Sequence, residues 1–361
     1  MNPQNTLTVS TAGRICLFGE HQDYLGLPVI AAAISLRVYI SGEKTDKLTF
    51  KIDLPDVKQQ ESFDFSDAPV VYTRPRDYFR SAFNVVRRKG LTFSKGAICN
   101  VNGKIPIDAG TSSSSALMVA WLHFLVKTSD QSPSIDTKTL GEWAYEAEVL
   151  EFGEPIGMMD QYSTAIGRVI YLESEPKIAV TPLVPKLGKL VLINSMQPKD
   201  PFGNHLRIKK HMANIRQKYE EKKWKFSLAE LKIKDFETQK NILTKEERQI
   251  LGGTLRNRNI CQKAKKMLEK NVLDDIKFGN LLQKHQQYLR DDLKLSTPKI
   301  DKILEKSLEV GALGGKINGS GSGGCVFVYA PARGEQVVEA MQKMGCDAWL
   351  VDIGDGTKIE L

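Results

Sequence analysis

Apolar and polar positions alternate with a strand's period over Leu7 to Val9 and again over Leu36 to Ile40. Pro75 to Val86 changes to a helical period, and Ala97 to Val101 reads as a short strand. From Ser114 to Val126 the residues Leu117, Val119, Ala120, Leu122, Phe124 and Leu125 predict a buried helix. A second helix follows from Thr139 to Leu150, with Leu140, Trp143, Ala144, Ala147 and Leu150 on its apolar side. The run Val180 to Asn194, broken by Pro182 and Pro185, predicts a crossover between domains, with the boundary near 187. Beyond it lies a helical section in which Ile208, Met212, Ile215 and Tyr219 keep helical spacing. Helices over Phe278 to Leu293 and from Thr297-Pro298 to Leu308 come next, the second with Ser296 or Thr297 as N-cap. A glycine cluster over 311–324, a strand over Cys325 to Tyr329, a helix over Glu335 to Met344 and a strand over Ala348 to Asp352 close the chain. The class is mixed α and β, without a sequence repeat.

Length supports two domains: 361 residues with 41% hydrophobic content bury a substantial core. No run approaches the ~20 apolar residues of a membrane span, and the polar start Met1-Asn2-Pro3-Gln4-Asn5 is unlike a signal peptide, so a cytoplasmic protein is expected. Five scattered cysteines and five histidines show no metal-ligand spacing, which predicts reduced thiols and no structural zinc, with an oxygen-held divalent cation still open. The net charge of +8 is local, since 207–270 carries 19 Lys+Arg against 8 Asp+Glu and the remainder is at −3. That section lacks the interleaved exposed aromatics a single-strand binder would use, so it reads as a solvated helical face and nucleic acid is not expected as a partner.

Four segments carry candidate chemistry. Gly110-Thr111-Ser112-Ser113-Ser114-Ser115-Ala116 stands just before the apolar helix, where backbone N–H groups and the positive helix end hold anions. It is not a Walker loop, having no lysine. Gly319-Ser320-Gly321-Ser322-Gly323-Gly324 offers close backbone approach, and the ~200 residues between the two loops would let each domain supply one wall of a cleft. Glu20, His21 and Asp23 put three hydrogen-bonding groups into four residues, as recognition of a polyol requires. Glu148, in the last turn of a helix, opposes the dipole and so calls for a cation partner, while Asp160, next to the methionine pair Met158-Met159, is expected to be buried with a partner.

In this order the four segments resemble the GHMP kinase superfamily, and within it the galactokinase family. Gly13 to Tyr24 is similar to the galactokinase sugar signature, Pro106 with Gly110 to Ala116 to the superfamily phosphate loop, and Gly314 to Cys325 to its third motif. Glu148 precedes Asp160 by twelve residues, with Gly153, Pro155, Gly157, Met159 and Gln161 in register, and Phe278-Gly279, His285, Leu289 to Asp292, Ser296 and Pro298 resemble the C-terminal galactokinase segment. The chain departs at Cys16, Leu27 and Ile156, and the stretch Asn194 to Asp200 lacks the family's Ser, His and later Tyr-x-x-Arg.

The resemblance implies an α+β fold in two domains, 1–187 mixed α/β and 188–361 ferredoxin-like with the basic section 207–270, and an active site in the cleft between them. It implies ATP and Mg2+, with Gly110, Thr111, Ser112, Ser113, Ser114 and Ser115 around the phosphates, joined by Gly321 and Gly323, and with Ser114 and Glu148 at the metal. Glu20, His21, Asp23 and Gly157 would bind the sugar beside Asp160, which faces the attacking hydroxyl, and Arg14 would sit near both that hydroxyl and the γ-phosphate. The expected reaction makes a sugar 1-phosphate, with galactose or a related sugar as acceptor. A mevalonate-type small-alcohol kinase and a non-catalytic regulator that binds ATP and sugar are the alternatives. Neither a membrane nor a nucleic-acid partner is implied, and monomer and homodimer stay open.

Overall fold

The computed structural model describes residues 6–200 and 202–360; the polar start at 1–5 lies outside the described residues. Among the described residues, twelve strands and ten α-helices follow one another along the chain. The first half contains β1 (Leu7–Phe18), β2 (Val29–Thr45), β3 (Thr49–Leu54), β4 (Gln59–Asp64), α1 (Tyr78–Arg88), β5 (Gly96–Gly103), α2 (Ser113–Thr128), α3 (Thr137–Tyr145), α4 (Met159–Ile166), β6 (Val169–Glu173) and β7 (Ala179–Leu183). The second contains β8 (Leu190–Asn194), α5 (Gly203–Glu221), α6 (Ile233–Gln239), α7 (Lys245–Leu268), α8 (Asp275–Asp291), α9 (Pro298–Val310), β9 (Gly314–Ile317), β10 (Cys325–Tyr329), α10 (Gly334–Lys343), β11 (Asp347–Val351) and β12 (Lys358–Glu360).

An eight-stranded sheet runs β12-β1-β2-β5-β3-β4, with β6 and β7 continuing from the start of β2. Its pairs are antiparallel except β3 with β5. β2 begins as the unbroken apolar run Val29 to Ile34, every residue buried, because both of its faces are covered there. Pro182 is tolerated in β7 because that strand pairs only with β6 and forms an edge. The second sheet runs β11-β8-β10-β9, wholly antiparallel, and the chain order β8, helices, β9, β10, α10, β11 gives it the ferredoxin-like arrangement.

Helices α1, α2 and α3 cover the first sheet over a core rich in aromatic rings, where Phe50 meets Phe63, Phe65, Phe83, Phe93 and Trp121. A second core lies under α5, α7, α9 and α10. A third joins the two sheets: Ile15, Leu17, Phe18 and Ile30 of the first pack with Leu190, Leu192 and Phe327 of the second and with Phe278 of α8. The two halves are thus fixed by apolar burial along one flank, and a cleft opens beside it.

The predicted helix over Thr139 to Leu150 is corrected. α3 stops at Tyr145 and a single π-turn, Glu146–Leu150, completes it. The predicted crossover Val180 to Asn194 holds β7 and β8, and the glycine cluster contains β9. The basic section is three helices, with Ile208, Met212, Ile215 and Tyr219 buried as their spacing predicts. All five cysteines are free and buried, and among the described residues no helix is long and apolar enough to cross a membrane.

Candidate active site

A cleft of ≈590 Å³ is lined from the first half by Arg14, Glu20, His21, Asp23, the 110–115 loop, Glu148, Gly157 and Asp160, and from the second by Pro198, Lys199, Phe202, His205, Gly319 and Ser320. Arg14 enters through a bulge. The register of β1 on β2 shifts between Ala12 and Arg14, and the Arg14 N–H donates to the Thr111 carbonyl at 3.1 Å instead of to the sheet. Its guanidinium donates to the Gly110 carbonyl at 2.6 Å and, through Nε (2.9 Å) and Nη2 (2.7 Å), to Oδ1 of Asp160. Burial opposes that charge, yet Asp160 and Glu20 outweigh it and hold the Arg14 pKa above its ordinary value. Asp160 sits in the first turn of α4. It is not buried: its side chain is 25% exposed to the cleft, and among the described residues no donor reaches Oδ2.

The phosphate-type loop is tightly wound, with positive φ at Asp108, Gly110 and Ser112. Ser112 precedes α2 but makes no capping bond, and its hydroxyl is buried without a partner. The first-turn N–H groups of a sixteen-residue helix therefore face the cleft unsatisfied, which is the setting for an anion. A Cβ on Gly110 would stand 2.5 Å from the Asn318 carbonyl, so this position requires glycine for space as well as for φ. Thr111 is fully buried and faces away from the cleft, donating to Pro106, while Ser113, Ser114 and Ser115 line it.

Glu148 lies in the π-turn, which swings its carboxylate under the serines. It is buried and accepts from Gln161 Nε2 at 2.7 Å. Burial raises its pKa, and hydrogen bonds from Gln161, Ser115 and Ser114 hold that rise in check. One carboxylate with serine hydroxyls is a hard oxygen donor set, the kind that holds Mg2+ when phosphates complete the shell. Among the described residues no cluster of three or more His, Cys, Asp or Glu offers a fuller cage.

At the other end, His21 has φ 60, and its Nε2 meets the Ser320 carbonyl at 3.2 Å, so Nδ1 accepts from the Tyr24 hydroxyl at 2.8 Å. Burial, aided by the His205 ring tilted against it at 4.5 Å, pushes its pKa well below the usual value and keeps the ring neutral. Asp23 accepts the Met159 N–H at 3.1 Å, and burial raises its carboxyl to about 6 against that hydrogen bond, with Asp160 adding to the rise. Gly157 leaves room for it, since a Cβ there would stand 2.1 Å from Asp23 Oδ2. Glu20 is paired at 2.7 Å with Lys316, both fully enclosed.

Gly321 and Gly323 do not reach the cleft: Gly321 backs onto Leu295 and Gly323 onto Pro198, leaving Gly319 and Ser320 as the part of their loop that faces it. The sequence reading missed Lys316 and Asn318. Asn318 donates to Gly110 O (2.8 Å) and accepts from Cys16 N (2.8 Å), tying β1, the phosphate-type loop and the second half at one point. A lysine inside the strand Gly314–Ile317 was the available signal, because a strand so enclosed admits a charge only with a partner.

Comparison with known proteins agrees with this geometry. The models "GHMP kinases N terminal domain", "GHMP kinases C terminal" and "Galactokinase galactose-binding signature" match residues 77–168, 265–345 and 2–44. A galactokinase of Pasteurella multocida is 25% identical, covering 97% of this chain and 91% of its own length. A mevalonate kinase of Pyrococcus furiosus is 27% identical, covering 97% of each. Among solved structures, the galactokinase of Lactococcus lactis complexed with galactose superposes with a TM-score of 0.84 at 20% identity, over 98% of this chain and 95% of that one. Methanococcus jannaschii mevalonate kinase gives 0.74 at 16%, over 96% and 98%.

Proposed function

We propose, from the premise that the chain belongs to the GHMP kinase family, that it transfers the γ-phosphoryl group of ATP to the anomeric hydroxyl of a monosaccharide, giving ADP and a sugar 1-phosphate. Galactose is the first candidate, followed by a related hexose, pentose or uronic acid. The observation that carries the reading is the spacing of functions along one cleft. An anion-receiving helix end lies at one side, the polyol-binding set Glu20, His21 and Asp23 at the other, and Asp160 between them with Oδ2 open.

In this reading the acceptor oxygen attacks the γ-phosphorus while the bond from phosphorus to the β–γ bridging oxygen breaks, and the hydroxyl proton leaves toward Oδ2 of Asp160. Arg14 fixes Oδ1 and adds positive charge beside the transferring group, so the protein supplies position and charge balance more than covalent chemistry. Ser114 and Glu148 would hold Mg2+, which supplies charge neutralisation on the phosphate oxygens. The halves 1–187 and 188–361 would each contribute one wall. A cytoplasmic setting fits the substrates, and neither nucleic acid nor membrane enters.

The test is ADP release by the purified protein with Mg·ATP and a panel of free sugars. Turnover with one sugar well above the ATP-only rate is expected, and no response to any sugar overturns the assignment. The mevalonate kinases at comparable identity support a second reading, a small-alcohol kinase. It predicts turnover with a branched acid alcohol and indifference to Asp23→Ala.

A further inference from the structure

The stretch leaving β8 departs from the galactokinase pattern, and it runs against the glycine-rich loop. Ser195 N donates to Gly324 O (3.0 Å), and Gly324 N donates to Gln197 O (2.9 Å). A Cβ on Gly323 would come within 2.1 Å of the Pro198 carbonyl, and one on Gly324 within 2.8 Å of the Ala109 carbonyl and 3.5 Å of Lys199 Cβ. On the far side Cys325 N donates to Ala109 O at 2.7 Å. Gly323 and Gly324 are therefore a strut between the phosphate-type loop and residues 197–199, and only a residue without Cβ lets the three backbones approach so closely. Gln197 is itself anchored, its Oε1 accepting from Thr297 Oγ1 at 2.7 Å.

What the strut delivers to the cleft wall is Lys199. Two other long cationic side chains line the cleft, and each has its carboxylate: Arg14 has Asp160, and Arg76 has Glu154 at 2.7 Å. Lys199 makes no ion pair or side-chain hydrogen bond among the described residues. Burial lowers its pKa, Asp108 and Asp160 pull the other way, and Arg14 and Arg76 add to the fall, so carboxylates stand near the ammonium without a direct ion pair to it. The buried, unpartnered Ser112 hydroxyl and the open end of α2 likewise await an anion in the same cleft.

We infer that Lys199 is a catalytic residue that contacts the γ-phosphoryl group from the second half of the chain, opposite the serine loop. This rests on the kinase reading above. An ammonium there meets charge that ATP carries and ADP lacks, and holds it while the phosphoryl group passes to the acceptor oxygen.

The test compares wild type, Lys199→Met and Lys199→Arg, measuring titration-calorimetry affinities for ADP and for a non-hydrolysable ATP analogue, with kcat on the accepted substrate. Lys199→Met should bind ADP as wild type does, which also reports a folded site. It should bind the ATP analogue roughly 10-fold more weakly and lose about 10²-fold in kcat, with Lys199→Arg recovering part of both. If Lys199→Met binds both nucleotides like wild type and turns over normally, the inference fails while the kinase reading stands. Equal weakening toward ADP and the analogue also overturns it, since the lysine would then serve the loop and not the γ-phosphoryl. A wild type that binds neither nucleotide overturns the kinase reading itself.

Discussion

Asp160 divides its two oxygens between tasks, Oδ1 on Arg14 and Oδ2 toward the cleft. Asp160→Asn keeps an acceptor for Arg14 and removes only the charge and the proton-accepting oxygen. ADP release should therefore fall ~10²-fold or more while nucleotide affinity stays within a few-fold, and a variant retaining full turnover would sink the proposed role. Asp23 makes a prediction about pH. Its carboxyl is raised to about 6, so below that pH it is protonated and above it the carboxylate would be the form that accepts hydrogen bonds from sugar hydroxyls in the proposed function. Sugar affinity measured without nucleotide should thus rise as pH rises through about 6 and then level off. Asp23→Asn should lose that step; a pH-independent wild type would remove Asp23 from sugar binding. The sequence reading singled out Asp160 through family register, but its neighbouring methionines misled on burial. Met159 is buried at the start of α4, yet successive residues of a helix point about 100° apart, so the burial of one says little about the next.

Among elements, the serine loop and α2 were legible because the helix is apolar nearly all round beyond a first turn made of Ser113, Ser114 and Ser115. The π-turn was not, since a 3.6-residue period cannot separate i→i+4 from i→i+5 bonding over a single turn. Yet that turn sets Glu148 under the loop. Strands β3, β4 and β12 escaped because they are short or polar, β4 and β12 also lying at the sheet's edges, and β9 because glycines conceal a strand. The loop's conformation itself rests on Gly110 at φ 86, packed on the Asn318 carbonyl. Gly110→Ala adds a left-handed penalty of ~1–2 kcal/mol to a contact that must open. Urea unfolding should show at least that loss, with ATP affinity reduced; an unchanged midpoint and affinity would mean the two loops need not touch.

At the scale of the molecule, the cleft is a junction in which the second half closes the first. The shared apolar core fixes one flank, and the polar side of the same junction is fixed by Lys316 and Asn318 reaching from β9 and its following turn to β1 and the phosphate-type loop. Lys316 satisfies all its donors inside the protein: Glu20 Oε2 at 2.7 Å, Cys16 O at 2.7 Å and Ile317 O at 2.6 Å. Such a pair adds little net stability over an apolar substitute, but removing one member strands a buried charge. Lys316→Met should therefore cost roughly 3–5 kcal/mol in urea unfolding. Adding Glu20→Gln removes the stranded charge and should recover much of that loss, a coupling that a double-mutant cycle measures directly. If Glu20 binds sugar as proposed, the recovered protein should still bind it poorly, because Glu20 would have lost its charge. Stability and sugar binding would then separate in a single series. If Lys316→Met proves as stable as wild type, or the second substitution makes matters worse, the pair is not what holds the turn at Glu20 to Asp23 against the second half.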